Sequence, residues 1–296
     1  MLNVIQAELL VALEAEQLNL TRAATRLHMV QPAATRQLKL LEQHLETPVF
    51  VREGKRLKGW TTVGEQVLQQ AHMMVAARRN VRALADSLKS GEEELFLGTT
   101  HTQAKYFLPA RLKRFRRHFP KVRLHIEQSH PQALVQMLKR GEIDLALCTE
   151  AITRHSGLQI RSCYNWHYVL VCPRTHPLSR KTSIEWSDLA TYPLLTYNRG
   201  FSGGKMLESC LATAGLQPDF VLRAADTDVI KTYVREGFGI GIIACQSYRQ
   251  SEDDDLVCHN LSHLLPQQET VLAWLQHRYV SPAMGALIEE LSDDNG

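Results

Sequence analysis

The sequence predicts an α+β winged helix-turn-helix domain, a long linker helix, and then two α/β lobes. Three observations predict it. Two short helical patterns flank a tight turn within residues 20–45, apolar residues recur at spacings of four and three from Val67 to Leu88, and strand-like and helical segments alternate from Glu94 onward. A chain of 296 residues is too long for one ordinary domain. The boundaries expected are 1–61 for the winged domain, 62–90 for the linker helix and 91–296 for the lobes. Lobe one takes 94–162 plus 268–292, and lobe two takes 163–267.

In the first helical pattern, Thr21 is the expected N-cap, with Ala23, Ala24 and Leu27 on the inner face. The chain turns through His28-Met29-Val30. Pro32 then sits in the first turn of a second helix, where its missing N–H costs nothing. Ala33, Leu38, Leu41 and Leu45 are expected to face inward, and the small Ala23 and Ala24 let the two helices cross closely. Gln31, Thr35, Arg36 and Lys39 remain outward, and these are donors and acceptors suited to base edges and phosphates in a major groove. Thr21 and Pro32 belong to the same expected DNA-contacting set.

Residues 48–61 read as two extended runs around a basic, glycine-containing turn, hence a β-hairpin. Arg52, Lys55 and Arg56 on such a wing would meet phosphates, which positions a protein on DNA without reading its sequence. The long helix that follows carries Val67, Ala71, Met74, Arg78, Val81, Ala85 and Leu88 as a heptad seam broken once, at Arg78. Such a seam expects a partner, so the helix is read as pairing with its copy in a homodimer that presents two recognition helices.

Charge agrees with this division. Residues 1–90 hold 12 Lys/Arg against 8 Asp/Glu, although the whole chain is only +3. A basic end on a nearly neutral body suggests a polyanion partner for that end alone. The N-terminus MLNVIQAELL has no basic stretch before a cleavable apolar core, and no apolar run nears the roughly 18 residues of a membrane helix, so the expected location is cytoplasmic. Six cysteines form no C-x-x-C pair and read as free thiols. No cofactor motif is found. Neither these cysteines nor His101, His125 and His130 show spacing for a metal.

With Ala23-Ala24, Leu27, Gln31-Pro32-Ala33, Leu41-Glu42, Pro48 to Arg52 and Thr61-Thr62-Val63-Gly64, the N-terminal region resembles the LysR-type transcriptional regulators. That family usually has glycine just after the second helix, where this chain has Glu46.

In the remaining two-thirds, strands are expected at Leu95–Gly98, Arg123–Gln128, Ile143–Cys148, Tyr168–Cys172, Leu194–Tyr197, Phe220–Ala224, Ile240–Ala244 and Val271–Gln276. Helices are expected at Gln103–His118, Pro131–Arg140, Lys205–Ala214, Val229–Glu236 and Pro282–Leu291. Strand, helix, strand in this order implies parallel sheets with right-handed crossovers, and two crossings between lobes make a hinged cleft. Hydroxyls cluster at strand ends in both lobes, in Thr99-Thr100-His101-Thr102-Gln103, at Thr149, and in Thr196-Tyr197 with Gly200-Phe201-Ser202-Gly203-Gly204. Each alone suits a helix N-cap; together they suggest a small-anion site at helix starts.

Thr99 to Tyr106, Cys148 to Ala151, Cys163 to Trp166, Gly200 to Gly203 and Asp226 to Arg235 resemble the CysB/Cbl branch of the same family. The resemblance implies periplasmic-binding-protein-like lobes and a tetramer that activates cysteine-biosynthesis promoters. Double-stranded promoter DNA and RNA polymerase are its implied partners, with acetylserine, sulfate or thiosulfate as effectors. By matching position it implies effector contacts at Thr100, Thr102, Gln103, Thr149, Trp166 and Ser202. Ser202 stands where that branch commonly has threonine, and Arg199 and Lys205 depart from its pattern.

A competing reading is a serine hydrolase. Gly200 to Gly204 matches G-x-S-x-G between a strand and a helix, with Asp226 or Asp228 and His259 or His263 following in hydrolase order. The basic helix-turn-helix and seam helix have no role in a hydrolase, so the chain is read as a regulator and not an enzyme.

Overall fold

The computed structural model describes residues 1–54, 56–89, 93–149, 155, 157–199, 201–217 and 219–292, apart from the side chains at 83, 86–89, 202, 203 and 205. The chain forms two compact units. One is Met1–Ser90 with Lys139–Glu142, and the other is Gly91–Leu138 with Ile143–Gly296.

The first unit opens with a helix that the sequence reading passed over, α1 (Val4–Ala15), started by a reciprocal capping box between Asn3 and Gln6. Helices α2 (Leu20–Arg26) and α3 (Gln31–Leu45) follow. Asn19, not Thr21, caps α2, its side chain accepting from the Arg22 amide. In α3 the fully buried alanine is Ala34, with Leu38 and Leu41; Ala33 is only half-buried, one residue out of phase with the expected face. The helix ends on Glu46 at φ 52°, the left-handed conformation that glycine adopts freely, so this chain reaches the same C-cap with a side chain present.

The wing is a hairpin of β1 (Phe50–Glu53) and β2 (Arg56–Trp60), with Phe50 opposite Trp60 and a bulge between Val51 and Arg52. Glu42 on α3 holds it in place, accepting from the amides of Val49 and Phe50 and from the Arg52 guanidinium at 2.9, 3.3 and 2.7 Å. Thr61 then starts α4 (Thr62–Lys89), accepting from the Gly64 amide at 2.9 Å. A Cβ on Gly64 would lie 2.0 Å from the Val49 carbonyl oxygen, so this close approach admits only glycine.

The heptad seam of α4 divides. Val67, Ala71 and Met74 pack into the core of this unit with Leu9, Leu10 and Leu13 of α1. Arg78, the break in the pattern, pairs with Glu8 of α1. The first half of the seam is therefore spent within the chain, which corrects the expectation that the whole stripe meets a second copy. Val81 beyond it is 68% exposed.

The second unit holds two five-stranded sheets built alike. In lobe one the order is β4 (Arg123–Gln128), β3 (Glu94–Thr99), β5 (Leu145–Thr149), β12 (Gln268–Leu275), β6 (Leu158–Trp166). In lobe two it is β9 (Phe220–Ala224), β8 (Leu194–Tyr197), β10 (Ile240–Ala244), β7 (Tyr168–Pro173), β11 (Leu256–Asn260). The first three strands of each set are parallel, as the alternating pattern predicts, but β12 runs antiparallel to both its neighbours β5 and β6, and β7 to both β10 and β11. Both sheets are thus mixed, not purely parallel. Strands β6 and β11 and the short helix α7 (Trp186–Thr191) had no counterpart in the sequence reading.

Helices α5 (Leu108–His118), α6 (Pro131–Lys139), α8 (Ser202–Thr213), α9 (Thr227–Arg235) and α10 (Pro282–Ser292) cover the sheets. The expected helix over 103–118 is two pieces, a π-helical turn over Gln103–Phe107 followed by α5. Wider π turns inside helices are often found at functional sites. The cores are apolar, with Leu97, Leu145 and Leu272 against Met284 and Leu287 in lobe one and Tyr168, Leu194 and Ile240 against Leu207 and Leu211 in lobe two.

Candidate functional site

In the first unit, α2, α3 and the wing enclose a groove of about 1590 Å³. Six of the nine residues expected to contact DNA line it, namely Thr21, Gln31, Thr35, Lys39, Arg52 and Arg56. Pro32 and Arg36 lie exposed on α3 outside this lining, and Lys55 lies outside the described residues. The Thr35 hydroxyl donates to the Gln31 carbonyl at 3.0 Å, which leaves its oxygen as an acceptor. Arg52 is pinned to Glu42, so its guanidinium is oriented before any ligand arrives. Asn19 also lines the groove and was missed; the N-cap preference applied two residues earlier finds it.

The second unit has a small, partly open cavity between its lobes. Five of the six expected effector residues line it: Thr100, Thr102, Gln103, Thr149 and Trp166. The side chain of Ser202 lies outside the described residues. Sheet ends place these groups. Thr99 closes lobe one by donating to the Leu147 carbonyl at 2.9 Å, and Thr196 repeats this in lobe two with the Ile242 carbonyl at 3.1 Å. Beyond Thr99 the chain turns into the π segment, with Thr102 just before it and Gln103 at its start, while Thr149 and Trp166 end β5 and β6. Lobe two contributes Tyr197, Phe201, Ala244 and Gln246, none of which was expected as a contact. Gly204 lets α8 start against the end of β8, because a Cβ there would meet the Tyr197 carbonyl oxygen at 2.7 Å.

Among the described residues, no lysine or arginine lines the cavity. Its polar groups are neutral and organised. Thr100 donates to the Gln103 side-chain carbonyl, Gln103 Nε2 approaches Thr270 Oγ1 at 3.4 Å, and Gln246 Nε2 donates to the Tyr164 hydroxyl at 3.2 Å. Burial, opposed by hydrogen bonds, pushes the Tyr164 phenol up to about 12, so it stays protonated. Trp166 is only 5% exposed, and its Nε1–H has no partner among the described residues. A buried N–H left unpaired costs about 1–3 kcal/mol, so this one is suited to an incoming acceptor.

Beside the cavity, charges join the lobes. Burial alone would raise the Asp228 carboxyl. Hydrogen bonds from Lys105, Tyr106 and His101 of lobe one, at 2.7, 2.6 and 2.9 Å, outweigh it and hold Asp228 well below the usual carboxylate range. Lys231, 3% exposed, donates to Asp253 and the Ser247 carbonyl at 2.9 Å each and to the Tyr106 hydroxyl at 3.1 Å. The Asp226–Arg235 stretch is thus a clamp on lobe one. His101, Asp226 and Asp228 bring one potential ligand atom each within 4.8 Å of one another, but the Lys105 ammonium already supplies positive charge there.

Of the acid and base candidates of the hydrolase reading, both aspartates and His263 are committed elsewhere, while His259 Nε2 is buried with no partner among the described residues. Asp226 caps α9 through the Val229 amide, Asp228 belongs to the clamp, and His263 bonds the Ile184 carbonyl at 2.7 Å.

A three-helix N-terminal unit with a wing, followed by two like lobes around a small cavity, defines a DNA-binding regulator with an effector domain. Residues 6–65 match the bacterial regulatory helix-turn-helix proteins of the lysR family, and residues 89–295 match the LysR substrate binding domain. The chain belongs to the LysR family of transcriptional regulators, whose members similar to it are regulators and not enzymes. Within that family it is 38% identical to the HTH-type transcriptional regulator SsuR of Burkholderia cenocepacia, over 86% of this chain and 83% of that protein. It is 36% identical to CysB of the same organism (94% and 89% covered) and 38% identical to cbl of Escherichia coli K12 (88% and 84%). The solved cofactor-binding domain of the Cbl transcriptional regulator superposes with a TM-score of 0.65 at 34% identity, covering 69% of this chain and 89% of that one. Among the described residues, no helix is long and apolar enough to cross a membrane.

Proposed function

We propose that this regulator controls sulfur-assimilation genes and senses a small oxyanion or acetylserine in the cavity between its lobes. The observation that carries the reading is the convergence of neutral donors on the cavity between the lobes, with the Trp166 N–H left for a ligand. Similarity to CysB, Cbl and SsuR supports the sulfur-related part. Thr100, Thr102, Gln103, Thr149, Trp166 and Ser202 are the proposed effector contacts. Thr21, Gln31, Pro32, Thr35, Arg36, Lys39, Arg52, Lys55 and Arg56 are the proposed DNA contacts. Two chains present two such faces to two half-sites, with the distal part of α4, where Val81 is exposed, as the surface left for pairing.

Titrating the full chain with sulfate, thiosulfate, N-acetylserine and O-acetylserine tests the effector assignment, read by Trp fluorescence and melting. The expected result is saturable stabilisation by one of them, about 2.7 kcal/mol at a hundredfold excess over Kd. Thr102→Val should weaken that ligand by about 0.5–1.5 kcal/mol, the worth of one neutral hydrogen bond. No response to any of the four would remove the effector assignment and leave the family intact.

A further inference from the structure

Thr227 lies outside the cavity lining but next to two residues that form it, Tyr197 and Thr102. Tyr197 is buried on β8, and its hydroxyl accepts from the Ala244 amide at 3.0 Å. An amide N–H can only donate, so that bond has one possible direction. Burial, partly offset by its hydrogen bonds, raises the Tyr197 phenol above its usual value, and it keeps its proton. The nearest side-chain partner of this hydroxyl is Thr227 Oγ1 at 2.8 Å, and the Ser247 and Thr102 hydroxyls also face it. Thr227 is fully buried at the first position of α9, directly before clamp residue Asp228. Its second neighbour is Thr102 Oγ1 of lobe one, at 3.4 Å the longest step of the series.

The geometry points to Thr227 as the positioning residue that makes Thr102 a donor toward the effector. The Ala244 amide donates to Tyr197, Tyr197 to Thr227, and Thr227 across the lobe boundary to Thr102. The Ala244 bond leaves the Tyr197 proton available to give away, and with that proton on Thr227 and the Thr227 proton on Thr102, the Thr102 proton is left to point into the cavity. Together with the unpaired Trp166 N–H this places two donors where a ligand oxygen carrying no proton fits. It gives a site that favours an unprotonated oxygen with no cation among the described lining residues, and it ties that preference to the closeness of the two lobes. This inference rests on the oxyanion reading above.

The test is a double-mutant cycle on the full chain with inorganic sulfate as the probe, read by Trp fluorescence. Thr227→Val keeps the shape and removes the relay. It should weaken sulfate about three- to tenfold, the range of one neutral hydrogen bond, and Thr227→Ser should restore it. In a Thr102→Val background, Thr227→Val should change sulfate affinity by less than about twofold, because the residue acts only through Thr102. An equal loss in both backgrounds, or no loss in either, would show that Thr227 is merely structural and overturn the relay. If wild type itself gives no saturable response to sulfate, the oxyanion reading falls and the relay falls with it.

Discussion

The groove of the first unit and the cavity of the second both suit anions, but they are made from opposite materials. The groove is wide and open to solvent, and exposed cations at Lys39, Arg52 and Arg56 line it. The cavity is small, and its hydroxyls, amide groups and indole are almost wholly buried. The difference follows from the cost of removing a charge from water. An exposed ammonium or guanidinium keeps its hydration and costs little. A buried one needs permanent partners. Lys231 shows what that takes, with a carboxylate, a carbonyl and a phenol gathered around one ammonium. A cavity that must stand empty and then fill cannot keep such partners, so it uses neutral donors.

Salt gives the largest separation of the two surfaces. DNA affinity should fall by on the order of a thousandfold between 50 and 200 mM salt if a pair of chains neutralises about six phosphates. Effector affinity should change by less than about twofold over the same range, since its neutral bonds release no counterions. Measuring both by fluorescence titration in chloride salts checks this. A flat salt response for DNA would mean that the groove does not work through charge.

The buried ammonium comes next. Lys231→Met leaves Asp253 and Asp228 each short of one cation, and breaking a buried pair costs about 3–5 kcal/mol. Arg235 still reaches Asp253 at 2.8 Å, which places the expected loss at the lower end, about 3 kcal/mol in a urea melt. DNA affinity at fixed salt should not change, since Lys231 belongs to the other unit. A loss below about 1 kcal/mol would make this an ordinary surface pair.

Legibility also differs between the two surfaces. The groove is built from local patterns that a sequence displays. Ala23 and Ala24 at the crossing, Pro32 near a helix start and a basic hairpin after α3 are neighbours in the chain, and reading them required only helical and strand periods. The error there was also local, since Thr21 and Asn19 are both good caps and the chain uses the earlier one. The cavity residues came from resemblance to a family, because hydroxyls at strand ends are equally good caps. The clamp was not legible at all. His101, Lys105 and Tyr106 meet Asp228 across 122 to 127 positions, and Lys231 on an amphipathic helix reads as a solvated charge until lobe one is packed against it. Strand β6 was missed for a related reason. It is an edge strand with scattered polar residues, and it is held by β12, about a hundred positions later.

The smallest effect tests whether the charged clamp, and not the neutral cavity, carries the acid sensitivity of the second unit. Asp228 is held below its ordinary carboxylate value of 3.8, so it binds fewer protons folded than unfolded near and below that value. Its contribution is therefore complete above about pH 4 and fades as pH falls below that. Asp228→Asn removes the charge at every pH. With the carboxylate about a third exposed, solvent screening limits the loss at pH 7 to about 1 kcal/mol, or 2–4 °C in Tm for a unit of this size. As the melting series moves from pH 7 to pH 3, the gap between wild type and variant should narrow. Comparing the two proteins cancels the other carboxylates that titrate in the same range, including Asp188, Asp253 and Asp255. A gap that stayed constant with pH would mean that the variant loses packing and not charge. The clamp would then hold the lobes by shape, and the contrast between charged contact and neutral cavity would lose its electrostatic basis.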